Sequence, residues 1–127
     1  LRILNIKFAW IVNSEDGMDE ISPYAKTNVV QLKNEEISEI IIDPKELNIG
    51  ANKFDDLLGD DSKFNANKMI DIFKGKDNDF SKAVCLNAAA GLIVTEKNSE
   101  FKDAYESARS HILSGKAFEN LKNIQNG

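Results

Sequence analysis

The chain of 127 residues has one cysteine, one histidine, two prolines and only two arginines. Each scarcity excludes something. Cys85 is alone, so no intramolecular disulfide can form, and its place in the apolar run 83–90 reads as a small buried hydrophobe. His111 is the only histidine, so no histidine metal cluster and no histidine pair exists. Its position near the end of a helical pattern reads as surface. Bidentate phosphate recognition leans on arginine, and only Arg2 and Arg109 are present. Any phosphate handled here is anchored by lysines, backbone amides, a metal or another part of the molecule. The net charge is -5 and no basic run occurs, which argues against a nucleic-acid partner and against an anionic membrane surface. No apolar stretch has the length of a membrane span. Residues 1–7 lack the apolar core and cleavage site of a signal peptide, which fits a cytoplasmic setting. Leu1 to Leu4 reads as the tail of a helix whose body lies elsewhere.

What is present is an ordinary globular balance. Hydrophobic residues make up 42% and charged residues 29%, enough for a core in one domain spanning 1–127. Residues 7–13 read as a strand, apolar on both faces and therefore central in a sheet. Residues 27–32 and 36–42 read as a hairpin around a polar turn, Lys33-Asn34-Glu35. Asp43 and Pro44 begin one helical turn through Leu47. Helical spacing then predicts helices from 64 to Gly75, over 79–95 and over 98–113, with a short one through Leu121. The second is apolar nearly all round, so it is buried on several sides. The order predicts an α/β fold: a partial mixed sheet, one central strand plus a hairpin, packed with about four helices. A strand and a helix this apolar want more cover than the chain offers.

The stretch Glu15-Asp16-Gly17-Met18-Asp19-Glu20 carries the chemistry. It follows the strand that ends in Ile11-Val12, and ligands of α/β sheets gather outside the carboxyl ends of strands. If the turn coils, Asp16, Asp19 and Glu20 share one face, where like charges repel unless a cation sits among them. Such hard oxygen ligands suit Mg²⁺, which takes one or two protein carboxylates and leaves its other positions to water and phosphate. The spacing is not that of an EF-hand loop. A second acidic group, Asp55, Asp56, Asp60 and Asp61, reads as a solvated loop or as cap chemistry for the next helix. Asn87 interrupts the apolar helix, and a buried amide needs partners, so it reads as a structural bridge to nearby backbone ahead of a ligand contact. Ser114-Gly115-Lys116 lacks the upstream glycines of a phosphate loop and reads as a helix cap and restart.

Residues 11–22, Ile-Val-Asn-Ser-Glu-Asp-Gly-Met-Asp-Glu-Ile-Ser, resemble the signature strand and loop of the anthranilate phosphoribosyltransferases, Val-Val-His-Gly-x-Asp-Gly-Leu-Asp-Glu-Ile-Ser. The resemblance continues through Pro44 to Gly50, Asn65-Ala66, Leu86-Asn87-Ala88-Ala89-Ala90 and Ser114-Gly115-Lys116-Ala117. It implies an α/β domain of the nucleoside phosphorylase and phosphoribosyltransferase type, of which this chain is the carboxyl-terminal portion. It also implies phosphoribosyl transfer from phosphoribosyl pyrophosphate to anthranilate, a step of tryptophan biosynthesis, assisted by Mg²⁺. The metal ligands implied are Asp19 and Glu20, with Asp16 and Gly17 shaping the turn. No catalytic residue is assigned within the chain. The family's glycine-rich pyrophosphate loops, its main anthranilate contacts and most of its homodimer-forming helical domain have no counterpart in these residues, so the isolated chain is expected to be inactive. The family's His-Gly is Asn13-Ser14 here, and Ser14 lacks glycine's backbone freedom. Two other readings remain: a relative of the pyrimidine nucleoside phosphorylases, or a stand-alone binding or regulatory domain on the same scaffold.

Overall fold

The computed structural model describes residues 1–51 and 57–127, so Asp55 and Asp56 lie outside the described residues. A 3₁₀ turn, Arg2–Leu4, precedes three strands, β1 (Phe8–Ser14), β2 (Thr27–Lys33) and β3 (Glu36–Ile42). Four helices follow: α1 (Ser62–Phe73), α2 (Asp79–Val94), α3 (Phe101–Leu113) and α4 (Lys116–Asn126). The class is α/β, with a sheet and four helices as expected. No helix among the described residues is long and apolar enough to cross a membrane.

The sheet differs from expectation in one respect. Its order is β1-β2-β3 and every described pairing is antiparallel, so it is not mixed; β2 is central and β1 lies at an edge. A parallel neighbour needs a crossover, usually a helix, and residues 15–26 contain none. They fold the chain straight back instead. The apolar character of both faces of β1 therefore does not mark a centre. Phe8, Trp10 and Val12 pack toward the helices, while Ile11 on the other face is 59% exposed. Ile37 and Ile41 on β3 share that outer face and are likewise exposed.

The inner face holds the core. Val29 and Ile42 meet Leu86, Ala89 and Ile93 of α2, and α3 closes the other side through Ala104, Tyr105, Ala108 and Ile112. α2 is thus covered on two sides, whereas Ala88 and Gly91 remain exposed. Each helix is punctuated by its caps. Asp61 caps α1 by accepting from the Phe64 amide at 2.7 Å, the cap chemistry anticipated for the second acidic group. Asn78 and Ser81 form a reciprocal capping box on α2. Gly75 and Gly115 take positive φ, 95° and 76°, where helices stop and restart. α3 begins later than its periodicity implies because Asn98 and Ser99 stay outside it, and α4 runs five residues past Leu121.

Candidate functional site

The loop from Glu15 to Lys26 leaves the end of β1 and returns to β2 without coiling, so the shared helical face is not realised. It closes on itself. The Gly17 amide donates to the Ser14 carbonyl and the Ser14 amide to the Met18 carbonyl, both at 3.0 Å. Gly17 has φ +89°, a conformation that side chains resist. The Asp16 carboxylate faces inward along the loop, accepting from the Met18 amide at 3.3 Å and from the Ser22 hydroxyl. Burial pushes the Asp16 carboxyl up, but hydrogen bonds from Ser22, Ser14 and the Met18 amide outweigh it and hold the group below the usual carboxylate range. Asp16 and Gly17 thus shape the turn.

Beneath the loop lies a small buried network of hydroxyls. Ser14 donates to the Lys26 carbonyl at 3.1 Å, and Thr27 donates to Ser14 at 3.4 Å while accepting from the Ser22 amide at 3.2 Å. Ser14 does not adopt positive φ, so glycine's freedom is not needed at this position; its hydroxyl tethers the loop instead. Asn13 points to the exposed outer side of the sheet. The sequence did not single out Ser22 or Thr27. The available signal was the pairing of Thr27 with Ser14 across β1 and β2, which needs the strand register.

Asn87 is the structural bridge anticipated for it. Its Oδ1 accepts from the Ile21 amide at 2.9 Å, and its Nδ2 donates to the Ile21 carbonyl at 3.1 Å and to the Ala83 carbonyl at 2.9 Å. Ile21 itself is fully buried. A second tie runs from the Ala51 amide to the Pro23 carbonyl at 3.0 Å. Asp43 caps the turn at Pro44 through the Lys45 amide at 2.9 Å and meets Lys26 at 3.5 Å.

Asp19 and Glu20 stand apart from all this. Both are exposed, and among the described residues no hydrogen bond or ion pair engages either carboxylate, nor that of Glu15 at the start of the loop. Adjacent, hard and uncommitted oxygen donors fit a Mg²⁺ ion that takes most of its shell from water and phosphate. Among the described residues no group of three or more acidic, cysteine or histidine side chains is arranged for a metal. The other candidates lie elsewhere. Asp60 and Asp61 belong to the α1 cap, where Asn65 holds the Asp60 backbone from both sides at 3.1 and 2.9 Å. His111 is exposed on α3. A separate cleft of about 600 Å³, lined by Phe8, Trp10, Lys33, Lys97 and Phe101 among others, opens at the start of β1, away from the acidic loop.

Residues 1–118 match the family described as "Glycosyl transferase family, a/b domain". The chain is 76% identical over 126 residues to the anthranilate phosphoribosyltransferase of Pelagibacter ubique (strain HTCC1062), covering 99% of this chain and 38% of that protein. It is 36% identical over 124 residues to the enzyme of the same name from Azospirillum brasilense, covering 98% of this chain and 35% of that protein. The chain therefore spans little more than a third of these relatives. Among solved structures, the anthranilate phosphoribosyltransferase of Thermus thermophilus superposes with a TM-score of 0.81 at 25% identity, over 91% of this chain and 34% of that one. The Saccharomyces cerevisiae enzyme, in complex with PRPP and Mg, superposes with a TM-score of 0.79 at 22% identity, over 89% and 33%. At that identity the likeness is one of fold.

Proposed function

Because the chain belongs to the glycosyl transferase family through its α/β domain, we propose that it forms part of an anthranilate phosphoribosyltransferase and supplies one wall of its site. In the reaction, the anthranilate amine attacks the ribose carbon of phosphoribosyl pyrophosphate and pyrophosphate leaves. Asp19 and Glu20 would hold Mg²⁺ against the pyrophosphate. When bound, the ion neutralises the negative charge that gathers on the leaving group. The chain's own work is positional. Asp16 and Gly17 fold the turn, Ser14, Ser22 and Thr27 tie it to the sheet, and the three remaining carboxylates, Glu15 and the adjacent pair Asp19 and Glu20, are exposed. An arylamine nucleophile needs orientation more than activation, so a wall without a general base suits this chemistry.

One observation carries the reading. Asp16, Ser14, Ser22 and Thr27 at the base of the loop are committed to hydrogen bonds, while Asp19 and Glu20 are adjacent, exposed and, among the described residues, without a hydrogen-bond partner for their carboxylates. In this reading the contacts to anthranilate and to the rest of the pyrophosphate come from protein outside these residues, within a larger α/β domain and the family's homodimer. The setting is the cytoplasm, where amino-acid biosynthesis runs. Calorimetric titration of Mg²⁺ in the presence of pyrophosphate tests the ligand pair. Wild type should bind the metal–pyrophosphate pair weakly but measurably, and Asp19→Asn/Glu20→Gln should lose that binding. Equal affinity in both would remove the metal assignment.

A further inference from the structure

We infer that Asn87 is a positioning residue for the cation site, an inference that rests on the reading of Asp19 and Glu20 as the ligands. The argument is one of connectivity. The Ile21 amide belongs to the peptide that joins Glu20 to Ile21, and the Ile21 carbonyl belongs to the next peptide along. Asn87 grips both, at 2.9 and 3.1 Å, from a helix 66 positions away. Its third bond, to the Ala83 carbonyl at 2.9 Å, fixes the amide's orientation on α2. The peptide plane next to Glu20 is therefore set by α2 rather than by the loop.

The inner residue of the clamp, Ile21, is fully buried, and the two residues before it are exposed. Burial of Ile21 alone would anchor the chain at one point and leave the plane free to rotate. The amide clamp removes that rotation, so less ordering remains to be done when the cation arrives. α2 is itself fixed, by its capping box at the start and by Leu86, Ala89 and Ile93 in the core. Asn87 thus links the interior to the two carboxylates, and cation affinity depends on a residue that touches no cation.

The test is a Mn²⁺ titration of the chain, read by paramagnetic broadening of its amide NMR signals. In wild type the broadening should centre on Asp19 and Glu20. Asn87→Asp keeps the acceptor for the Ile21 amide, loses both donors and sets a negative charge beside the Ile21 carbonyl. Asn87→Ala loses all three bonds. Both should weaken Mn²⁺ binding about tenfold or more while the spectrum stays dispersed. Ile72→Val, which thins the core on α1, should lower the thermal midpoint and leave Mn²⁺ binding unchanged. If Asn87→Ala does not fold, Asn87→Ser, which retains a single hydroxyl, carries the comparison. Wild-type Mn²⁺ affinity in a folded Asn87 variant, with Asp19→Asn/Glu20→Gln weakened, overturns the role of Asn87 alone. Unchanged affinity in Asp19→Asn/Glu20→Gln overturns the cation reading and this inference with it.

Discussion

Asp16 accepts hydrogen bonds from the Ser22 hydroxyl and the Met18 amide, whereas the Asp19 and Glu20 carboxylates accept none among the described residues. The difference makes Asp16 a folding residue with a pH signature. Burial raises its pKa, but the hydrogen bonds win and the folded-state value lies below the ordinary 3.8. A lowered carboxylate contributes stability above its unfolded pKa, and that contribution fades as pH falls through the folded value. Asp16→Asn should therefore be less stable than wild type at neutral pH, by under about 1 kcal/mol because the group is largely exposed to screening solvent. The gap should begin to narrow below roughly pH 4 and close once the pH lies below the folded-state value, where wild type has lost the term too. Thermal unfolding followed by circular dichroism across that range checks it; a gap that persists in acid would assign the cost to shape rather than charge. The roles of Asp16, Gly17 and Asn87 were legible in the sequence because each breaks a local rule: an acidic glycine turn after a strand, and an amide in an apolar helix. Ser14, Ser22 and Thr27 were not, because small hydroxyl residues occur in any loop and only the β1–β2 register brings these together.

At the scale of elements, the hairpin between β2 and β3 turns through Asn34 and Glu35, both at positive φ, 50° and 72°. That is the pattern of a two-residue turn whose twist matches the strands, in which Asn then Gly is preferred. Asn tolerates the left-handed region; for Glu it costs about 1 kcal/mol. Glu35→Gly should thus stabilise the domain by roughly 0.5–1 kcal/mol, the gain trimmed by the extra freedom of glycine in the unfolded chain. A urea denaturation midpoint that rises at constant slope supports this, and one that falls refutes it. Helix and strand positions were legible from period, capping residues and glycines. The rank of β1 in the sheet was not, because an apolar pattern tells which faces are greasy and not what covers them. Ile11 is apolar and more than half exposed.

At the scale of the molecule, the apolar outer face of the sheet, the edge position of β1 and the pair Asp19 and Glu20 are all exposed, and in the proposed function they face the rest of the enzyme. The chain spans 38% of its Pelagibacter relative and superposes on about a third of the Thermus structure. The class of the fold and the location of the acidic loop could be read from 127 residues. The rest of the site could not, since in the proposed function its other contacts come from protein outside these residues. The most direct measurement replaces the matching segment of the Pelagibacter protein with this chain and assays phosphoribosyl transfer from phosphoribosyl pyrophosphate to anthranilate. The account predicts no turnover by the chain alone, turnover by the chimera, and a loss of about 100-fold or more in kcat/KM when the chimera carries Asp19→Asn/Glu20→Gln. Transfer catalysed by the isolated chain, or full activity in the doubly substituted chimera, would contradict it.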